Sequence, residues 1–319
     1  MASKTDFDKN LIDKILAKYN IGEFKDSKAF KRGYVQTNIL IKTTKNKYVL
    51  RYYENRDKKR VKFEMDILNF LADKKYPIAK PIPTKKNEYI QFYNRKPFVI
   101  FEYIQGKHLK NLNEFQFREL VHNLAKLHKI TKSYDEKNYI HAEPRTKEYC
   151  LIAANIEKKR FSDKDEGNKR YNIIQSQLES INFSPKLRKG LIHGDFDKSN
   201  VKFNDNNVSG ILDFDDSHIG YTIHDLGIII MYWARFYNKK MDFNIAHKII
   251  KYYEEVFPLN KIEKEHIFDA FKFAALIIMS WLMYDKWKGK DLFKILSKFL
   301  EELDSIGRKE FYKRIFKKS

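Results

Sequence analysis

Two acidic motifs, separated by two short apolar pieces around a polar turn, are the part of this sequence best suited to chemistry. The first reads His193-Gly194-Asp195 and is followed by Asn200, and the second begins at Asp213. Carboxylate and amide oxygens are hard ligands of the kind Mg²⁺ prefers, with phosphate oxygens and water completing its octahedron. A further carboxylate can orient a hydroxyl and accept its proton. The two motifs therefore point to phosphoryl transfer, which needs both a metal and a positioned base.

The stretch between the motifs predicts a β-hairpin, because apolar residues flank a polar turn at 204–207. Such a hairpin would bring Asp195, Asn200 and Asp213 close together. Asp and Asn are also common in turns, so a single D-x₄-N pattern would be weak evidence. The combination is specific, and five of the 11 glycines of the chain fall within 190–227. We expect the functional site in this segment, with the acids that follow Asp213 in a supporting role.

The residues before and after Gly106 show different periodicities. Alternating β-branched and aromatic residues predict strands in the first hundred residues, where 3.6-residue spacing also predicts helices. The predicted elements there are a helix over 6–19, strands over 34–42 and 47–53, a helix over 57–73, and strands over 90–93 and 97–103. Beyond Gly106 the pattern is helical over 114–132, 145–160, 168–182 and much of 240–305. The sequence therefore predicts two lobes, with a boundary near residues 102–106.

Composition narrows the class of protein further. The chain has 319 residues with 43% hydrophobic and 15% aromatic content, enough apolar surface to exclude disorder for its bulk. One cysteine excludes an intramolecular disulfide, and the longest apolar runs are too short to span a membrane. The formal net charge is +21, but the lysines are spread along the chain, so nucleic acid is not the expected partner. We expect a cytoplasmic protein without a membrane partner, and the oligomeric state stays open.

These residues resemble the aminoglycoside phosphotransferase and choline kinase family, which has a protein-kinase-like fold, and are nearest to its homoserine kinase type II-like branch. The resemblance covers about residues 30–235. It implies an α+β, two-lobed fold with a small antiparallel-sheet N-terminal lobe over 1–104, which binds nucleotide. The larger, mainly helical C-terminal lobe over 105–319 would hold the catalytic loop, the metal loop and the acceptor site.

The resemblance also implies ATP and Mg²⁺ as cofactors, with Asp195 as the catalytic base and Asn200 and Asp213 as the metal ligands. Arg51 matches the phosphate-contacting basic residue of the family, and Glu64 matches the acid that pairs with it. The nucleotide-binding residues implied in this way are Gly33, Asn38, Arg51, Glu64, Phe101, Glu102, Tyr103 and Ile104. The chain departs from the family in having Arg51 where lysine is common, and in having a single glycine in the phosphate loop at 31–38.

Further motifs agree with the resemblance and are expected to be structural. Leu124–His128 resembles a helix motif of the family, and Asp225 resembles an acid that anchors the segment after the metal loop. The imidazoles of His128 and His193 are expected to form structural hydrogen bonds. The guanidinium of Arg235 is expected to form a salt bridge with a neighbouring acid.

The resemblance implies a small-molecule hydroxyl as the expected acceptor, with homoserine or a similar amino alcohol as the first expectation. Aminoglycosides, choline or ethanolamine, and a protein serine or threonine of the stress-response type stay open, as does a nucleotide-binding pseudokinase without turnover. A polycationic aminoglycoside calls for acidic surface, and the lysine excess argues against it. A choline-type amine calls for an aromatic cage. The candidates for such a cage are Tyr232, Trp233, Trp281, Tyr284 and Trp287.

Overall fold

The computed structural model describes residues 4–30, 35–132, 134, 144–237, 240–284 and 291–316. Contacts divide the chain into two compact units. The first unit contains the described residues of Met1–Asn111 together with Lys198–Asp215. The second contains the described residues of Leu112–Tyr134, Glu143–Asp197 and Asp216–Ser319.

The first unit is built on a six-stranded antiparallel sheet with strand order β1-β2-β3-β6-β4, and β5 also pairs with β6. The strands are β1 Phe24–Ala29, β2 Thr37–Thr43, β3 Lys47–Tyr52, β4 Pro81–Ile82, β5 Gln91–Tyr93 and β6 Lys96–Glu102. Two helices accompany the sheet, α1 Lys9–Leu16 and α2 Lys58–Asp73. The side chains of Asp8 and Asp57 cap α1 and α2, because each accepts a hydrogen bond from a backbone N–H group in the first turn of its helix.

Alternation along β2 and β3 decides which side chains reach the core. Ile39 and Leu50 are paired across the two strands and are buried. Asn38 and Arg51 are the next pair, and because successive side chains point to opposite faces they share the other face of the sheet. The strand pattern therefore places two of the expected nucleotide-binding residues directly opposite each other.

A short hairpin completes the first unit. It consists of β8 Val201–Asn204 and β9 Asn207–Ile211, joined by the turn that the sequence predicts. Isolated bridges connect Ile78 to Ile211 and Lys107 to Phe203. Gly210 is required here, because a Cβ at this position would lie 2.3 Å from Ile104 Cδ1. The sequence places this hairpin in the C-terminal lobe, whereas these contacts group it with the sheet-bearing unit.

The second unit is mainly helical. Its helices are α3 Glu114–Thr131, α4 Lys147–Lys158, α5 Lys164–Glu179, α6 Ile223–Ile230, α7 Phe243–Glu254, α8 Lys261–Glu265, α9 Ile267–Trp281 and α10 Leu292–Ile315. Two short strands, β7 Lys189–Ile192 and β10 His218–Tyr221, pair antiparallel. One π-helical turn, Met231–Phe236, follows α6 directly.

The helices α6 and α9 form the centre of the second unit. Every residue of α6 is buried, as the apolar run of the sequence predicts. Gly227 allows the two helices to approach closely, since a Cβ there would lie 2.3 Å from the carbonyl oxygen of Ala270. None of the helices in the described part of the chain is long and apolar enough to cross a membrane.

The predicted elements of the first hundred residues and α3, α4 and α5 are present, with ends that differ by a few residues. The sequence did not predict β1, the two-residue β4 or β10. β1 reads FKDSKA, and its exposed and half-buried residues do not alternate, so it carries no periodic signal. Pairing with β2 holds β1 in place. The helical stretch predicted over 240–305 is divided into α7, α8, α9 and the start of α10, and Pro258 lies in the first break.

Candidate active site

Arg51 lies at the centre of a charged cluster in the first unit. Its Nη2 atom donates a hydrogen bond to Asp213 Oδ1 at 2.6 Å and lies 3.1 Å from Asp215 Oδ2. The same oxygen of Asp215 accepts a hydrogen bond of 2.9 Å from Gln36 Nε2, and Arg56 Nε lies 3.6 Å from it. One guanidinium therefore neutralises two acids of the predicted metal loop at once.

The two carboxyl groups of this cluster have pKa values shifted in opposite directions. Burial raises the pKa of Asp213, and the charge of Asp215 adds to this while Arg51 opposes it. Burial also opposes the ionisation of Asp215, but Arg51 and Arg56 outweigh it and lower its pKa. Asp213 has a φ of 69°, in the left-handed region that costs a non-glycine residue about 1–3 kcal/mol. The surrounding ion pairs hold Asp213 in this conformation.

Asn200 lies beside Asp213 at the open end of the β8–β9 hairpin. The backbone carbonyl of Asn200 accepts a hydrogen bond of 2.8 Å from Leu212 N, next to the pairing of Val201 with Ile211. The hairpin therefore brings Asn200 and Asp213 together, as the sequence predicts. Asp195 belongs to the second unit, so its approach to these two residues stays a prediction.

Glu64 is not the ion-pair partner of Arg51 that the resemblance implies. Among the described residues, the carboxylates within ion-pair distance of Arg51 are those of Asp213 and Asp215. Tyr53 contacts both expected partners: the Arg51 guanidinium carbon lies 5.4 Å from the centre of the Tyr53 ring, and the Tyr53 hydroxyl donates to Glu64 Oε2 at 2.9 Å. Burial raises the pKa of Glu64 to about 7.

The segment expected to contact adenine, residues 101–104, consists of the last two residues of β6 and the two residues that follow it. Phe101 is buried, Glu102 is exposed, and Tyr103 and Ile104 are half-buried. Lys202 of the hairpin donates to the Ile104 carbonyl at 2.8 Å and lies 4.3 Å from the centre of the Tyr103 ring. The hairpin therefore supports this segment, and the adenine contact stays a prediction. Gly33 lies outside the described residues.

In the second unit, Asp195 lies on a loop whose backbone is fixed by a buried carboxylate. Asp225 accepts hydrogen bonds from the backbone N–H groups of His193, at 2.6 Å, and Gly194, at 2.9 Å. Gly194 has a φ of +83°, and a Cβ there would lie 2.8 Å from the Asp216 carbonyl oxygen. Only glycine fits this turn, so the motif requires it.

Asp225 is itself held inside a buried network. Its Oδ2 lies 3.2 Å from His128 Nε2, and His128 Nδ1 accepts from the Tyr253 hydroxyl at 2.7 Å. Burial opposes ionisation of Asp225, but the hydrogen bond from His128 and the backbone bond from Gly194 help to outweigh it and lower the pKa. The structural roles of His128 and His193 match the expectation. Asp225 anchors the loop that carries Asp195, whereas the resemblance implies an anchor for the segment after the metal loop.

Arg145 is a residue of this loop's surroundings that the sequence analysis missed. Its Nη1 donates to the Gly194 carbonyl at 3.0 Å, and its Nη2 lies 2.7 Å from Asp216 Oδ1. Its side chain is 11% exposed. A lone arginine just before α4 carries no motif, so nothing in its sequence neighbourhood could identify it. Arg235 forms the expected salt bridge, with Glu302 at 2.9 Å.

Tyr232 also contacts Asp195, a contact that the sequence did not predict. Its hydroxyl donates to Asp195 Oδ1 at 3.1 Å. Burial raises the pKa of Asp195, and the nearby Asp216 adds to this, while His193, Tyr232 and Arg145 oppose it. The aromatic-cage candidates therefore do not act as one set, since Tyr232 bonds an acid and Trp233 packs against Phe117. Trp287 lies outside the described residues.

Comparison with known proteins identifies similar phosphotransferases. A model of the phosphotransferase enzyme family matches residues 26–244. The homoserine kinase of Caulobacter vibrioides is 27% identical over 275 residues, which cover 83% of each chain. The homoserine kinase of Neisseria meningitidis is 25% identical over 253 residues, covering 79% of this chain and 80% of the relative.

Solved structures confirm the predicted fold class. An amicoumacin kinase in complex with AMP-PNP, Ca²⁺ and Ami is 18% identical, with a TM-score of 0.72 over 94% of both chains. A microcompartment-associated aminopropanol kinase is 14% identical, with a TM-score of 0.69 over 97% of this chain and 99% of the other. At these identities the similarity establishes the protein-kinase-like fold and leaves the substrate to other evidence.

Proposed function

Because this chain belongs to the phosphotransferase enzyme family, we propose that it transfers the γ-phosphate of ATP to the hydroxyl of homoserine or of a similar amino alcohol, with Mg²⁺. The observation that carries this proposal is the setting of Asp195. Its loop is bonded through two backbone amides to Asp225, and its own carboxylate accepts from Tyr232. A carboxylate fixed in this way suits a base that must meet a hydroxyl in one orientation.

Asp195 would accept the proton of the acceptor hydroxyl as the hydroxyl oxygen attacks the γ-phosphorus. The pKa of Asp195 is raised, chiefly by burial, which makes the carboxylate a stronger base. His193 and Arg145 favour its charged form and keep it available to accept a proton. Desolvation and nearby cations therefore act against each other at Asp195, which is typical of catalytic carboxylates.

Asn200 and Asp213 would hold Mg²⁺, whose charge offsets the negative charge that develops on the phosphoryl group. The donor set fits this ion. In the described part of the chain no group of three or more His, Cys, Asp or Glu side chains could hold a metal. Mg²⁺ characteristically uses one or two carboxylates and takes its remaining ligands from phosphates and water, so two protein ligands suffice.

Arg51 would bind phosphate oxygens, and its planar guanidinium can do so through two hydrogen bonds. Asn38 shares its face of the sheet and is the next candidate for a phosphate contact. Glu64 would act on Arg51 through Tyr53 and would not contact phosphate itself. Its carboxylate accepts a hydrogen bond from the Tyr53 hydroxyl, and Arg51 overlies the Tyr53 ring. Phe101, Glu102, Tyr103 and Ile104 are proposed to contact adenine.

Homoserine is the first acceptor to test because the two relatives described above are homoserine kinases. An amino alcohol without a carboxylate is the second acceptor to test, because one of the structurally similar proteins is an aminopropanol kinase. Both carry the same reacting group, a primary or secondary hydroxyl near an amine. The aminoglycosides stay in the comparison, although a net charge of +21 disfavours a polycationic substrate.

The test is an ADP-release assay with Mg·ATP against L-homoserine, aminopropanol, ethanolamine, choline, kanamycin and a generic protein substrate. Asp195→Asn is the blank and should lower turnover by about 10²–10⁴-fold while still binding Mg·ATP. Turnover on one amino alcohol that disappears in the blank is the expected result. Turnover on kanamycin or protein alone would overturn the acceptor class. Wild-type turnover in the blank would overturn the role of Asp195, and a chain that binds Mg·ATP without turning over any acceptor would be a nucleotide sensor.

A further inference from the structure

The π-helical turn after α6 and the residue that caps it provide two tyrosines, Tyr232 and Tyr237, whose hydroxyls both reach the loop that carries Asp195. Tyr232 donates to Asp195 Oδ1 at 3.1 Å, and Tyr237 donates to Asp197 Oδ2 at 2.7 Å. The two rings lie 6.3 Å apart with an angle of 23° between their planes. Two neighbouring carboxylates of one loop are thus each held by a tyrosine from one turn of helix.

The widened turn is what makes this arrangement possible. Residues five apart on an α-helix are separated by about 1.4 turns and point in different directions. In the π-turn the carbonyl of Tyr232 accepts a hydrogen bond from the Tyr237 backbone N–H at 3.1 Å, which brings these two residues to the same side. Single π-turns are rare and are frequent at functional sites. This turn lies against the loop that carries Asp195.

We propose that Tyr232 is a positioning residue for Asp195, holding Oδ1 so that the carboxylate keeps one orientation toward the acceptor hydroxyl. The inference rests on the proposed function, in which Asp195 is the base. Tyr237 bonds the neighbouring Asp197, to which no part in the reaction is assigned, so the two tyrosines form a matched pair. The Tyr232 hydroxyl bonds the proposed base, Asp195, whereas the Tyr237 hydroxyl bonds Asp197 two residues further along the same loop.

The charges around Asp195 show what the loss of this hydroxyl would do. His193 lies on the same loop, Asp216 on the segment after the metal loop, Arg145 before α4, and Tyr232 and Tyr237 on the π-turn. The Tyr232 hydrogen bond lowers the pKa of Asp195, whereas burial and Asp216 raise it. Removing the hydroxyl should therefore raise the pKa of the base as well as free its rotation.

The experiment compares Tyr232→Phe with Tyr237→Phe, using L-homoserine or whichever amino alcohol the wild-type enzyme turns over. In Tyr232→Phe, kcat should fall about 10–100-fold, the range for a hydrogen bond to a charged group. The KM for Mg·ATP should stay within about twofold of wild type. The acid limb of the pH profile of kcat/KM should move to higher pH by about 0.5–1 unit. In Tyr237→Phe the acid limb should stay at its wild-type position.

A double variant separates positioning from packing. If Tyr232 acts through Asp195, adding Tyr232→Phe to Asp195→Asn lowers kcat no further. The inference would be overturned if the kcat losses of the two substitutions multiplied in the double variant. It would also be overturned if Tyr232→Phe kept the wild-type kcat and acid limb, or if Tyr237→Phe moved the acid limb equally. Wild-type turnover in Asp195→Asn alone would instead overturn the proposed role of the base, so the two failures are distinct. A thermal melt of each variant confirms that the chain is folded.

Discussion

The loop that carries Asp195 and the loop that carries Asp213 each present a carboxylate for chemistry, but they are fixed by different charges. In the second unit the anchor is Asp225, a separate buried acid that bonds the loop backbone and leaves the Asp195 side chain to other contacts. In the first unit the anchor is Arg51, and its partners are the acids of the metal loop themselves.

Under the proposed function, this difference would separate a loop whose anchor is already formed from a loop whose ion pairs change when metal and phosphate bind. The backbone of the Asp195 loop is anchored by Asp225 of the same unit, so this anchor requires no ligand. Asp213 is paired with Arg51, so a cation that binds Asp213 competes with the guanidinium for the same oxygen. Arg51 can then turn to phosphate, the other anion for which its geometry is suited.

The largest effect that would sharpen this contrast is expected at Asp213. Asp213→Ala should weaken Mg²⁺-dependent ATP binding by about 100-fold or more, since even residues that merely support a metal ligand contribute 10–100-fold. Isothermal titration with and without Mg²⁺ measures it. Asp205→Ala, at the turn of the same hairpin, is the control and should bind as the wild type does. An unchanged Mg·ATP affinity in Asp213→Ala would remove this residue from the metal site.

The next effect concerns the anchor of the other loop. Asp225→Asn weakens a buried acceptor of two backbone amides and of His128, and should lower the free energy of unfolding by about 2 kcal/mol. It should also lower kcat, because the loop that carries Asp195 is freed. Urea denaturation and the ADP-release assay measure the two effects.

Asp269→Asn is the matched control for the anchor. Asp269 is also buried, in an ion pair with Arg308, but its contacts do not involve the catalytic loop. This variant should lose stability and keep its kcat. A normal kcat in an unstable Asp225→Asn protein would show that the loop needs no anchor, and the contrast between the loops would then fail.

A smaller effect comes from Glu64 in the first unit. Burial raises its pKa from 4.5 to about 7, so the folded state binds a proton that the unfolded state has released. The stability this proton contributes is present below pH 4.5 and is lost as the pH rises through 7. Glu64→Gln should therefore gain about 1–2 kcal/mol relative to wild type between these pH values, as measured by urea denaturation. The exposed Glu23→Gln should show no such trend, and a trend of the opposite sign would contradict the assignment.

The smallest effect has the opposite sign and belongs to the second unit. The centre of the His224 ring lies 4.8 Å from the ring centres of both Phe183 and Phe273. Neither nitrogen of the His224 ring has a hydrogen-bond partner among the described residues. Burial lowers its pKa from 6.5 to about 3, with His218 adding to the shift and Asp225 opposing it.

The folded state therefore keeps His224 neutral, and stability is lost as the pH falls below 6.5 toward 3. His224→Gln should reduce this loss by about 1 kcal/mol at pH 4 in the same denaturation experiment. The exposed His108→Gln is the control and should follow wild type. Equal acid sensitivity in wild type and His224→Gln would show that this imidazole does not contribute.

The sequence alone determined which residues are proposed to carry the chemistry. His193-Gly194-Asp195, Asn200 and Asp213 are close in the chain, and their spacing shows the two motifs and the hairpin between them. The alternation of β2 and β3 likewise predicts strands, and register pairs Asn38 with Arg51. These features are local, because periods of two and 3.6 residues and the turn residues can be read directly from neighbouring positions.

Only the tertiary structure decided which charges meet. The alternation of β3 decides which face of the sheet carries Arg51. It does not reveal that Glu64 accepts a hydrogen bond from Tyr53, or that Arg51 pairs with Asp213, 162 residues away in the sequence. The contacts of Arg145 and Tyr232 with the catalytic loop also join distant parts of the chain, and a π-turn has no periodic signature that would reveal them. Local patterns fix the direction of a side chain, whereas its partner depends on how the elements pack.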